Sequence, residues 1–158
     1  MREILKKRLN KVENHFIALK EYKVFIGNMD FDFSVDDFKK LSVPQKAVLE
    51  AYLKRFSSLQ DFLGAKVFKS LLDISGISYT KMSEVLSLME KEEIISLDKW
   101  IEFRTIRNDL EHDYPDELQE TLEDLRYCVD HFSDIFEIVQ KVFSFARRYD
   151  ETIELPKI

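Results

Sequence analysis

Residues 42–76 read SVPQKAVLEAYLKRFSSLQDFLGAKVFKSLLDISG, and they decide the fold. Ser42 and Gln45 stand three apart, the spacing of a capping box, with Pro44 in the first turn. Behind that start, Val48, Tyr52, Phe56, Leu59, Leu63, Val67, Leu71 and Ile74 recur near the helical period. Gly76 then supplies the residue type that ends helices. The stretch therefore predicts one long helix with a single apolar stripe, which must be buried against other helices.

The same pattern continues on both sides. Leu5, Leu9, Val12, Phe16, Leu19 and Ile26 predict a first helix to about residue 26, ended by Gly27-Asn28. Residues 28–44 read as irregular, with Phe31 and Phe33 plugging the core and Ser34 capping a short helix toward Asp37. Ser78 or Thr80 is expected to cap a helix carrying Met82, Val85, Leu86 and Met89. Ser96 opens another, with Trp100, Phe103, Ile106 and Leu110 on one face. Pro115 begins a last long helix striped by Leu118, Leu122, Leu125, Val129, Phe132, Phe136, Val139 and Phe143. The expectation is an all-α protein, an antiparallel up-and-down bundle of four to five helices. It forms one domain over residues 1–148, with 149–158 as a frayed tail.

Composition narrows the function classes. Three glycines and three prolines among 158 residues argue against a many-turned β protein. Cys128 is the one cysteine, so a disulfide framework within the chain is excluded and a reducing compartment is expected. No apolar run reaches a membrane span, and no signal core follows Met1, which predicts a cytoplasmic protein with no membrane partner. The net charge of −6 disfavours loose binding to polyanions, but charge is unevenly placed. Residues 2–11 carry a local +4 and residues 113–137 a local −8. Both segments read either as solvated helix faces or, for the acidic one, as a surface for a basic protein partner.

The chemistry concentrates in Arg107-Asn108-Asp109-Leu110-Glu111-His112-Asp113-Tyr114, followed by Pro115. Arginine can hold a phosphate or a developing oxyanion, histidine can move protons near neutral pH, and a tyrosine hydroxyl can accept a transferred group. Positions 107 and 112 lie about 140° apart round an unbroken helix. Pro115 disfavours helix at Tyr114, so a helix failing around 112–114 would let His112 swing toward Arg107. Against this stands a plain surface reading, in which Arg107 pairs with Glu111 and His112 sits near the helix C-terminus. Arg104, one turn earlier, either extends the cationic patch to an RNA or phosphate, or pairs with Asn108 or Glu111.

Arg107, Asn108, His112 and Tyr114, in the pattern R-N-x3-H-x-Y-P, resemble the signature of HEPN domains, in particular of the HepT toxin group. The stretch Arg55–Lys66 is similar to that family's second helix, and the resemblance runs over residues 1–148. It implies a homodimer whose two motifs form one composite cleft, and a metal-independent endoribonuclease needing no cofactor. It implies catalytic roles for Arg107, Asn108 and His112. It also implies a cognate minimal nucleotidyltransferase (MNT) antitoxin that adenylylates Tyr114 and so blocks RNA. A sister expectation is a non-catalytic nucleotidyltransferase substrate-binding subunit on the same bundle. Residues 98–113 carry a local −2, so positive potential for RNA would come from the first helix or from Lys54, Arg55, Lys66 and Lys69.

Other chemistry falls away. Asp30, Asp32, Ser34 and Asp36 imitate the start of a calcium loop, but Val35 and Leu41 stand where glycine and the bidentate glutamate belong. His15 and His131 lack ligand spacing and read as surface or core-edge residues, so no metal is expected. Cys128 lies near the last apolar stripe and reads as an inert core thiol.

Overall fold

A computed structural model describes residues 1–113 and 117–157, with the backbone alone for 109–113. The described residues are all helical or irregular, with no strand. The helices are α1 (Arg2–Gly27), α2 (Val35–Lys40), α3 (Val43–Phe62), α4 (Phe68–Ser75), α5 (Met82–Lys91), α6 (Leu97–Asp113), α7 (Leu118–Asp130) and α8 (Phe132–Arg147). A π-helical turn, Leu63–Val67, joins α3 to α4 without interruption. With that run counted once, seven helices are described where four or five were expected, and the predicted last helix is split in two.

The α3–π–α4 run is the spine. Ser42 Oγ accepts from the Gln45 N–H while Gln45 Oε1 accepts from the Ser42 N–H, so the capping box forms as read. Gly76, at φ 73°, closes α4 in the left-handed conformation that suits glycine. Helix α1 lies along α3, and the rest of the spine meets α5, α6, α7 and α8. The predicted α1 stripe is buried, from Leu5 through Phe16 to Ile26. Phe16 is fully enclosed and stacks between Phe132 and Phe136 of α8, each with its ring centroid 5.2 Å away. After the π turn the buried face of the spine broadens to Val67, Phe68, Leu71 and Leu72, because one extra residue in the turn rotates the register.

The predicted last helix from Pro115 is two helices that begin at Leu118 and break at His131, whose ψ of 17° departs from helix. The break leaves carbonyls at the end of α7 in need of donors. Tyr127 O takes the His131 N–H and lies 2.9 Å from His131 Nδ1, while the buried Tyr52 hydroxyl donates to Cys128 O at 2.8 Å. Burial pushes the Tyr52 phenol and the Cys128 thiol far above their ordinary pKa values, so neither ionises at working pH. Helix α5 starts after Lys81 rather than at a Ser78 or Thr80 cap, with the Glu84 carboxylate accepting from Thr80 N–H and Oγ1.

Within residues 149–157, expected to fray, Asp150 and Ile153 are anchored while most of the others are exposed. Asp150 is buried, accepts from Thr152 N and Oγ1, and pairs with Lys6 at 3.5 Å. Ile153 is buried in the same core as the helices. Phe31 and Phe33 pack partly buried against it, as read. Ser34 caps α2 as read, its Oγ accepting from the Asp37 N–H, while Asp37 and Asp32 accept from the Asp32 and Ser34 N–H groups.

Candidate functional site

Helix α6 packs on the spine through Trp100 and Phe103, both buried, and through the half-buried Ile106. That contact is shaped by Gly64 in the π turn. A Cβ there would stand 3.1 Å from the Trp100 indole, a contact tight enough that the ring would have to shift by a few tenths of an ångström. Beside this contact lies a cavity of about 180 Å³. Its apolar wall is formed by Gly64, Ala65, Met82, Leu86 and Trp100. Its polar lining is Gln60 and Asp61 from the end of α3, and Arg104 and Arg107 from α6.

Arg107 is the hinge of this arrangement. Its side chain is 16% exposed, and Nη1 donates to Asp61 Oδ1 at 2.6 Å. Nη2 donates to Asn108 Oδ1 at 3.3 Å. Nε is buried and has no hydrogen-bond partner among the described residues, and the same holds for Gln60 Oε1, on a residue 2% exposed. A buried polar atom left unpaired costs about 1–3 kcal/mol, and here two of them border one cavity. π turns also concentrate at functional sites, where they displace the ladder around a binding feature. Of the five guanidinium N–H groups, two are used by bonds to described residues.

The structure therefore joins two segments that sequence reading had singled out separately. Arg107 and Arg104 come to one cavity with Asp61 from the Arg55–Lys66 stretch. Arg107 takes Asp61 across 46 residues of chain. Arg104 is exposed at the cavity lining, while Ile101, Thr105 and Asn108 are exposed on the outer side of α6. Helix α6 runs to Asp113, so its end falls within the expected window of 112–114 and position 112 lies on the helix. Proline restricts the residue that precedes it, position 114, and leaves residues up to 113 free to stay helical. The side chain of His112 and the whole of Tyr114 lie outside the described residues.

The basic residues expected to help do not gather at the cavity. Arg55 Nη1 sits 3.1 Å from His15 Nδ1 on α1. Since arginine only donates, Nδ1 must accept and the imidazole proton belongs on Nε2. Burial first, then the charges of Arg55 and Lys11, hold the His15 pKa below its ordinary value. Arg8 is committed to Lys66 O and Ser70 Oγ. The cationic lining is thus Arg104 and Arg107 alone among the described residues.

Gln60, Gly64 and Trp100 carried no functional assignment in the sequence. Two signals pointed to them: a glycine inside an otherwise strong helical stripe, and an amide directly after the buried Leu59. Among the described residues no cluster of histidine, cysteine and carboxylates could hold a metal ion, and no helix is long and apolar enough to cross a membrane. Set against family models, curated proteins and solved structures, the chain finds no match in any of the three.

Proposed function

We propose that the chain is a HepT-like, metal-independent endoribonuclease on an antiparallel helical bundle of the HEPN type, held in check by a nucleotidyltransferase antitoxin. The observation that carries this reading is the joining of its two motif segments, with Arg107 of α6 bonded to Asp61 of α3 at the edge of a cavity. In the reaction, the ribose 2′-hydroxyl loses its proton to a base and attacks phosphorus. The P–O5′ bond breaks, the 5′ oxygen takes a proton, and a 2′,3′-cyclic phosphate remains. His112 serves as base or acid, Arg107 stabilises the charge on the phosphorane oxygens, and Asn108 positions the phosphate. With α6 helical to Asp113, positions 107 and 112 lie about 140° apart, which supports a composite site that a second protomer completes. Adenylylation of Tyr114 would add negative charge and bulk there.

Cleavage of single-stranded RNA in EDTA tests the reading. Wild type should yield cyclic-phosphate ends, and Arg107→Ala and His112→Ala should each remove them. Cleavage by both variants at the wild-type rate would defeat the catalytic assignment.

The second reading, a non-catalytic nucleotidyltransferase substrate-binding subunit, draws on the same ion pair. Arg107 is already neutralised by a carboxylate, and residues 98–113 carry a local −2. On that reading the outer side of α6 docks the nucleotidyltransferase. Both variants would then fold, cleave nothing, and lose affinity for that partner.

A further inference from the structure

Beneath the surface α1 and α3 meet through their apolar stripes, but the outer edge of that seam is a row of cations with neutral partners. Arg55 Nη1 gives its hydrogen bond to His15 Nδ1 at 3.1 Å, and the Lys11 ammonium stands 4.6 Å from the centre of the Phe62 ring. The Phe62 and His15 rings are 6.3 Å apart, so these four side chains form one cluster. Lys66 follows Phe62 by about one turn, and its carbonyl accepts from Arg8 Nη1 of α1. Lys11 and Lys66 are exposed, and Arg55 is partly so. The ion pairs among the described residues engage Lys6, Lys99, Arg107, Arg126 and Lys141, and none of Lys11, Arg55 and Lys66. The chain carries 30 acids against 24 bases, so composition does not explain a seam whose cations rest on an imidazole and a phenyl ring. Like charges gathered in this way repel one another, and an anion placed among them relieves the repulsion.

We infer that the outer edge of the α1–α3 seam is a docking track for single-stranded RNA, in which Lys11, Arg55 and Lys66 hold backbone phosphates. Positions 55 and 66 lie roughly 16 Å apart along the helix, too far for one phosphate to touch both ends. The spacing suits a chain of phosphates and not a single anion. The track also adjoins the Arg107 ion pair. Asp61, which bonds Arg107, and Phe62, which carries Lys11, are consecutive residues about 100° apart round α3. A strand held on the seam therefore reaches the candidate site around one edge of that helix. Phosphate contacts of this kind position a strand and read no sequence. The inference deepens the nuclease reading by adding a place where RNA is held away from the scissile bond, and it rests on that reading for the polyanion to be RNA.

The full-length protein is titrated, by fluorescence anisotropy over a range of salt concentrations, with a labelled single strand of 2′-O-methyl RNA. That strand has no free 2′-hydroxyl to attack phosphorus, so binding is read without cutting. Each phosphate held on a single strand adds about 0.7 to the slope of log affinity against log salt. Lys11→Gln/Lys66→Gln should weaken binding and lower that slope by about 1.4. Lys39→Gln/Lys40→Gln removes the same charge from exposed positions on α2 and should leave the slope unchanged. Thermal unfolding checks that both variants are folded. Burial first, then the charges of Arg55 and Lys11, hold the His15 pKa down, so a phosphate beside those charges should raise it, as followed by NMR with and without the strand. The inference is overturned if the strand does not bind, if the seam variant keeps the wild-type slope, or if the α2 variant lowers it equally. It is overturned too if vesicles of phosphatidylserine and phosphatidylcholine bind the seam and RNA does not, which would assign it to a lipid surface. The two readings fail separately. Binding on the seam by a protein that cuts no RNA removes only the nuclease, and cutting by a protein whose salt slope ignores Lys11 and Lys66 removes only the track.

Discussion

The α1–α3 seam and the α3–α6 seam are built from the same helix and obey different rules. Along α1 the stripe is continuous, Leu5 through Leu19 are buried, and Phe16 is sealed by two further aromatic rings. Across α6 the spine departs from regular helix at Leu63–Val67, a glycine stands where a side chain would pack, and two buried polar atoms lack partners among the described residues. Local choices agree on the first seam and conflict on the second. Such conflict costs stability, and it collects where a protein binds something.

The largest effect expected is on the conforming seam. Phe16→Ala removes a fully enclosed ring and should lower the unfolding free energy by about 3–5 kcal/mol, read from the midpoint of chemical denaturation. A loss below about 1 kcal/mol would mean that this seam is not the packed one. Gly64→Ala probes the other seam with opposed terms. The helix gains about 1 kcal/mol in propensity, while overpacking against Trp100 costs about 1–3 kcal/mol. A net loss of about 1 kcal/mol with a shifted Trp100 emission is expected; a clear gain would show that the indole moves freely.

Gln60→Leu sharpens the contrast further. It replaces an unpaired buried acceptor by an apolar side chain of similar size, so stability should hold or rise by about 0.5–1 kcal/mol. If it fell by more than about 2 kcal/mol, Gln60 would be part of the scaffold instead. The smallest effect concerns His15, back at the conforming seam. Its folded pKa is depressed, so the unfolded chain binds more protons below the ordinary histidine value, and stability rises with pH across that window. Acidification through it should destabilise wild type slightly more than His15→Asn, as measured by paired thermal melts. Identical pH profiles would show that burial and the nearby charges of Arg55 and Lys11 do not perturb the imidazole.

Most of the scaffold was legible because its signals are local. Ser42 and Gln45 spell a cap, Gly76 a stop, and the α1 apolar spacing a buried face. The break at His131 was not legible, since the aromatic stripe runs on across it and only the distant Tyr52 hydroxyl, meeting Cys128 O, makes good one of the freed carbonyls. The packed tail was hidden for the same reason, because Asp150 depends on Lys6, far away in sequence. At the site, Arg107, Asn108 and Arg104 could be picked out by type and spacing. The partner Asp61 and the role of Gln60 could not, because a monotonous helical pattern does not announce where one extra residue will turn it.

The most direct test of the contrast joins activity to stability on the same samples. Single-turnover cleavage of a single-stranded RNA in EDTA is measured for wild type and Arg107→Ala, with the unfolding free energy of each. The account predicts that cleavage falls roughly 10²–10³-fold, as when one stabilising donor is removed. It predicts that stability changes by less than about 1 kcal/mol, since Arg107's ionic partner is a largely exposed carboxylate. Equal cleavage rates, or a loss of cleavage that merely follows a loss of folded protein, would contradict it.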